Sequence, residues 1–259
     1  MEKKEVKRNY KHQRRKLKDE YRQRKSAIRS QYLEELGASL DESDKPRPAE
    51  PPKRSVLEEI GNSVTHGVGA IFAIVAFILM CVASEGGREY VGAAIYFVGQ
   101  FVMFTVSCLY HAFRHGSAVK RLFRRFDYSC IYLLIGATFA PILLCYSEAW
   151  YNILFLIIQW AIISFGITFI GVFGPNKLRI MHIPLYLLLG WCGVFFIPEM
   201  LARADYTLFG FILGGGVVYS LGIIPFALNK KAAHFIWHFF VLAGAVIQWV
   251  GIYINIYLK

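Results

Sequence analysis

The sequence predicts an all-α integral membrane protein with seven transmembrane helices, its N-terminus cytoplasmic and its C-terminus outside. Three observations lead there. Hydrophobic residues make up 56% of the 259, too many for an ordinary soluble domain. From Val64 onward, apolar runs close to the ~20 residues needed to cross a hydrocarbon core alternate with short polar breaks. Charge is unevenly placed, because residues 1–54 hold 17 of the 29 Lys and Arg. A basic tail therefore precedes an apolar body.

Residues 1–37 read as a basic amphipathic tail with an eleven-residue repeat. Val6-Lys7-Arg8-Asn9-Tyr10, Leu17-Lys18-Asp19-Glu20-Tyr21 and Ile28-Arg29-Ser30-Gln31-Tyr32 share an aliphatic-basic-x-x-Tyr pattern, each starting eleven residues after the last. Eleven residues make about three helical turns, so these positions form one narrow stripe. Such a helix could lie on an anionic leaflet, pair with a partner helix, or stay solvated and serve only topology. Residues 38–54 read as a Pro-rich linker, with Pro46, Pro48, Pro51 and Pro52 barring a helix. Residues 55–259 form the membrane domain.

The seven spans are expected at 63–84, 90–112, 127–146, 151–173, 181–201, 206–227 and 233–257. Lys and Arg fix the orientation. The tail, the loop Arg114 to Arg125, the turn with Lys177 and Arg179, and the turn with Lys230 and Lys231 are basic, whereas the alternate loops carry at most one Arg. Cys81, Cys108, Cys130, Cys145 and Cys192 lie in or beside apolar runs, which argues against a disulfide framework. The charged N-terminus has no early apolar core, so no cleavable secretory signal is expected.

With odd spans running outward, His66 falls at the inner start of span one and His111 at the inner end of span two. Asp127, His182 and the pair His234/His238 open spans three, five and seven. All share one depth. Catalytic zinc takes three protein ligands and keeps one position for water, whose pKa it lowers to near neutrality. His234 and His238, four residues apart, project from one helix face, and His111 can complete a three-nitrogen set. Ser107 stands one turn before His111, where its hydroxyl could bond a ligand, water or a substrate oxygen. Asp127 has two readings, a solvated helix N-terminal residue favoured by the dipole or a general base beside the metal. His115 reads as solvent-facing, His182 as packed beneath Pro184, and Cys108 and Cys130 as apolar packing. Gly214-Gly215-Gly216 reads as a place of close helix approach.

Four motifs at these positions resemble the haemolysin III proteins, which belong with the progestin and adipoQ receptors, the adiponectin receptors among them. Glu59-Ile60-Gly61-Asn62-Ser63-Val64-Thr65-His66 is similar to the family's Glu-x-x-Asn-x-x-Thr-His in the first span. Ser107-Cys108-Leu109-Tyr110-His111 matches the Ser-x-x-x-His that closes the second, Asp127-Tyr128-Ser129 opens the third, and His234-x-x-x-His238 opens the seventh. The resemblance runs from about residue 56 to the end and leaves the tail uncovered. It implies a zinc ion held near the cytoplasmic face by His111, His234 and His238, with Asp127 close to a zinc-bound water. For Glu59, Asn62 and His66 the residues themselves suggest capping of an inner helix end.

Two functions of different class follow. One is a zinc-dependent hydrolase of lipid amide or acyl bonds near the cytoplasmic face, implied by the resemblance to related alkaline ceramidases, with Asp127 and Ser107 as catalytic groups and Zn2+ as cofactor. The other is a non-enzymatic membrane sensor or regulator, receptor-like, in which zinc ties span two to span seven. A pore-forming haemolysin fits least, because short loops and an inward-facing site are not those of a secreted pore former. Membrane lipids, with anionic lipid against the tail, are the expected partners, and nucleic acid is not. A multi-pass location in the cell membrane, a bacterial inner or plasma membrane, is expected.

Overall fold

In the computed structural model, residues 2–35, 51–177, 179–228 and 230–258 are described, and every regular element among them is helical. The chain divides into two compact units, Met1–Arg47 and Pro48–Lys259. The first carries α1 (Glu2–Glu35), one unbroken helix. Of the linker expected at 38–54, only 51–54 lie within the described residues, and they have no regular structure.

The second unit contains α2 (Val56–Ala83), α3 (Gly87–Ala112), α4 (Ala118–Thr138), α5 (Asn152–Phe173), α6 (Arg179–Trp191), α7 (Ile197–Ala202), α8 (Tyr206–Ala227) and α9 (Ala233–Ile252). Wider turns prolong α4 through Ile142–Tyr146 and α9 through Tyr253–Tyr257, and a tight turn at Cys192–Phe196 joins α6 to α7. These make seven segments long and apolar enough to cross a membrane: Val56–Ala83, Gly87–Ala112, Ala118–Tyr146, Asn152–Phe173, Met181–Ala202, Tyr206–Ala227 and Ala233–Tyr257. The protein is a multi-pass membrane protein.

Two helices begin well before their expected positions, each because a serine caps it. At α2, the Ser55 hydroxyl accepts the Glu58 N–H (3.2 Å) while the Glu58 carboxylate accepts the Ser55 N–H (3.0 Å), a reciprocal pair that starts the helix at Val56 rather than 63. At α4, the Ser117 hydroxyl accepts the Lys120 N–H (3.1 Å), and the helix starts at Ala118 rather than 127. Most of the expected Arg114 to Arg125 loop is therefore helical. Asp127 stands deep in α4 and not at its N-terminus, which removes the dipole reading of its position. The fifth span is broken instead of straight. Pro184 lies inside α6 and Pro198 opens α7, and each lacks the N–H that a continuous helix would need.

The faces of α2 show how the bundle is solvated. Asn62, Thr65, His66, Gly69, Ala73, Ala76 and Met80 are buried, whereas Val64, Val68, Ile71, Val75, Ile78 and Val82 point outward and are exposed. Small and polar residues face in and branched aliphatics face out, the arrangement of a helix whose solvent is lipid. Along the bundle α2 packs on α3, α3 on α4 and α8 on α9, while α2 also meets α9. A Cβ on Gly69 would lie 2.5 Å from the Phe104 ring, and one on Gly215 would lie 2.3 Å from Gln248, so hydrogen at these positions sets the α2–α3 and α8–α9 spacing. Of the three consecutive glycines, only Gly215 has this role, since the nearest atoms to a Cβ on Gly214 or Gly216 lie 3.9–4.0 Å away. The close contact of α2, α3 and α9 brings the histidines together.

Candidate metal centre

His111 lies in the last turn of α3, and His234 and His238 in the first turns of α9. Donor atoms of these three side chains all lie within 4.8 Å of one another, with His111 and His238 buried. The spacing expected from sequence is thus realised, and the second helix supplies the pair. His115 is exposed and its Nε2 meets the Pro51 carbonyl at 3.0 Å, well apart from the cluster. His182 is buried, with its Nδ1 2.9 Å from the Tyr132 hydroxyl.

For His111 and His238, the ring nitrogen not facing the cluster is held by α2. The His111 Nδ1–H donates to Glu59 Oε2 at 2.6 Å, and the His238 Nδ1–H donates to the Asn62 backbone carbonyl at 3.2 Å. Each bond places the ring proton on Nδ1 and leaves Nε2 as a lone-pair donor toward the centre. The Nε2 of His111 is buried and has no hydrogen-bond partner among the described residues. The Nε2 atoms of His234 and His238 face each other at 3.3 Å.

These atoms fit a metal. Two nitrogens on a tetrahedral ion with bonds of about 2.0–2.1 Å stand roughly 3.3–3.4 Å apart, which the His234/His238 pair already matches. The lone pairs of the buried His111 and His238 Nε2 atoms, aimed at the same space, suit a cation there. Among the described residues, no other group of three or more His, Cys, Asp or Glu is so arranged.

Glu59 is itself clamped. Its second oxygen accepts from Lys120 Nζ at 3.0 Å, and Lys120, only 1% exposed, also donates to the carbonyls of Phe113 (3.0 Å) and His111 (3.4 Å). The ammonium lies 4.9 Å from the centre of the Tyr110 ring. A buried lysine thus neutralises a carboxylate that orients a histidine. A neighbouring glutamate fixes the other helix, for Glu58 caps α2 and also accepts the N–H of Ala232, which sits in left-handed backbone (φ 59°) two residues before His234. His66 stacks on His238 with ring centres 3.8 Å apart and meets Phe104 edge-on at 5.2 Å.

Ser107 is buried one turn before His111 on α3, and Asp127 approaches it from α4. Both open into a cavity of about 170 Å³ that His66 and His234 line as well. Away from these groups its walls are largely apolar, running up α4 from Asp127 to Ile142 and ending near Met200 and Phe209. Fifteen residues at about 1.5 Å each give a length of roughly 22 Å.

The family described as Haemolysin-III related matches residues 54–249. The chain belongs to the haemolysin III family. It is 34% identical over 197 residues to the protein named Hemolysin-3 of Bacillus cereus, covering 74% of this chain and 89% of that one. Hemolysin-3 homolog of Bacillus subtilis (strain 168) is 31% identical over 195 residues, 74% of this chain and 91% of its own. Monocyte to macrophage differentiation factor of Homo sapiens is 26% identical over 220 residues, 79% and 87% of the respective chains.

Within this haemolysin III fold, two residues at the centre have roles different from those their sequence positions suggest. Glu59 was expected to cap a helix end, but the cap belongs to Glu58, and Glu59 turns to His111. Lys120 counted only as loop charge. Its one sequence signal is the spacing to Ser117, a helix-capping residue three positions earlier that carries Lys120 into the first turn of α4.

Proposed function

We propose that this chain is a zinc-dependent hydrolase of lipid amide or acyl bonds, working at the end of the bundle that the basic loops assign to the cytoplasm. One observation carries the reading: Ser107, Asp127 and His234 line one end of a long cavity whose other walls are largely apolar. A cavity of this kind suits an acyl chain, with its polar bond set beside a carboxylate and a histidine cluster. His111, His234 and His238 would hold the zinc, which would supply a Lewis acid and lower the pKa of a water beside it.

The chain's own residues divide the remaining work. The Asp127 carboxylate takes the proton from the attacking water as its oxygen bonds the acyl carbon, and returns it to the amine or alcohol that leaves. Ser107 lines the cavity beside that carboxylate, where its hydroxyl can bond the carboxylate or a substrate oxygen, and the apolar walls keep bulk water from the acyl chain. Asp127→Asn is expected to lower release of fatty acid from a lipid amide or ester by about 100- to 10,000-fold while metal content is kept. Wild-type protein that holds zinc yet turns over no lipid amide or ester would sink the hydrolase reading.

The bridging of α3 to α9 by the three histidines supports a second reading, a sensor or regulator whose zinc is structural. On that reading Asp127→Asn keeps function, and His238→Ala loses zinc and thermal stability together.

A further inference from the structure

Helix α1 carries a feature that a metal centre does not explain. Tyr10, Leu17, Tyr21, Ile28 and Tyr32 are each 61–68% exposed along a single helix. At about 100° per residue they fall within an arc of roughly 60°, because eleven residues overshoot three turns by only about 20°. Lys11, Arg15, Lys18, Arg22 and Lys25 follow on one flank, within about 50–130° of the stripe's centre, whereas the opposite flank holds Gln13, Glu20, Ala27 and Gln31 with Arg24 and Lys16 at its two edges. The whole helix has thirteen Lys and Arg against six Asp and Glu.

We propose that α1 docks on an anionic lipid surface, with its aliphatic and tyrosine stripe at the headgroup boundary and its basic flank against the phosphates. Three arguments select lipid over a second copy of the helix. Every third position of the stripe is charged, since Arg14 interrupts it between Tyr10 and Leu17, and Arg24 and Lys25 straddle it between Tyr21 and Ile28. A self-paired coil would set these like charges against their own copies in the seam, where apolar knobs are needed. At a bilayer the same side chains lay their methylene stems along the apolar layer and lift the charge to phosphate level. Tyrosine, the aromatic half of each repeat, favours that boundary. Twenty residues join α1 to α2, a reach of at most about 70 Å, so a bilayer surface is always available to it.

The test uses the full chain in lipid nanodiscs, one set neutral phosphatidylcholine and one with about 30% phosphatidylglycerol. Hydrogen exchange of amides 9–32 is expected to be at least about 10-fold slower in the anionic discs, with the difference lost at about 0.5 M salt. Leu17→Asp with Ile28→Asp, and separately the neutralised flank Lys11→Gln, Arg15→Gln, Lys18→Gln and Arg22→Gln, should each abolish it without altering unfolding of the membrane domain. Equal exchange in both lipids, or slowing that survives either variant, would overturn the proposal. Slowing that instead rises with the number of chains per disc in both lipids would also overturn it, in favour of a second copy.

Discussion

Replacing Lys120 by Met tests whether the polar groups around His111 govern metal affinity. The ammonium is 1% exposed and makes three hydrogen bonds, to Glu59 Oε1, Phe113 O and His111 O. Methionine fills a similar volume but leaves the Glu59 carboxylate, 16% exposed, without its counter-charge. Removing one partner of a largely buried pair costs about 3–5 kcal/mol, and the partial exposure of Glu59 points to the lower end, about 3 kcal/mol of stability. A carboxylate no longer clamped also stops fixing the His111 ring, and loss of such an orienting contact lowers metal affinity about 10- to 100-fold, or roughly 1.4–2.7 kcal/mol. Glu59→Gln keeps an acceptor for the Nδ1–H and should lose about 10-fold. In the double variant the uncompensated charge is absent, so its stability loss should fall below the sum of the singles by about 1–2 kcal/mol. Competition with a chelator of known affinity measures the metal, and thermal unfolding in detergent measures stability. Wild-type metal affinity in folded Lys120→Met and Glu59→Gln would refute the positioning role of this pair.

Other consequences are local. His115→Ala should leave metal content and affinity unchanged, because His115 bonds Pro51 and not the cluster; a loss of metal would place it among the ligands. Ala232→Gly removes a left-handed alanine (φ 59°) at the start of α9 and should raise stability by about 0.5–1 kcal/mol, read as an increase in Tm. Gly69→Ala forces a Cβ to 2.5 Å from Phe104, whose ring is fully buried and abuts His66, and should cost about 1–3 kcal/mol.

The seven spans were legible because lipid imposes one rule along ~20 residues at a time, and apolar runs of that length have no other use in this chain. Helix starts were not, since a cap depends on one serine among many polar residues. Ser55 and Ser117 each extended a helix into sequence rich in charge, and Asp127 moved from a helix start to its interior as a result. The histidines were legible as a set through spacing and shared depth. The roles of Glu59 and Lys120 were not, because a carboxylate at a helix end reads as a cap and a lysine beside it as solvated loop charge until tertiary packing sets the two against His111. His66 shares the depth of the cluster but stacks on His238 instead of joining the three-nitrogen set. Depth places a side chain along the bundle, while only the rotation of each helix decides whether its nitrogen or its ring face meets the centre.

Elemental analysis of the purified chain is the most direct test of the metal centre. Wild-type protein should carry about one zinc per chain, and His111→Ala, which removes the ligand from α3, should carry almost none while remaining folded. A folded wild type without stoichiometric metal, even after incubation with zinc, would contradict the assignment of His111, His234 and His238 as its ligands.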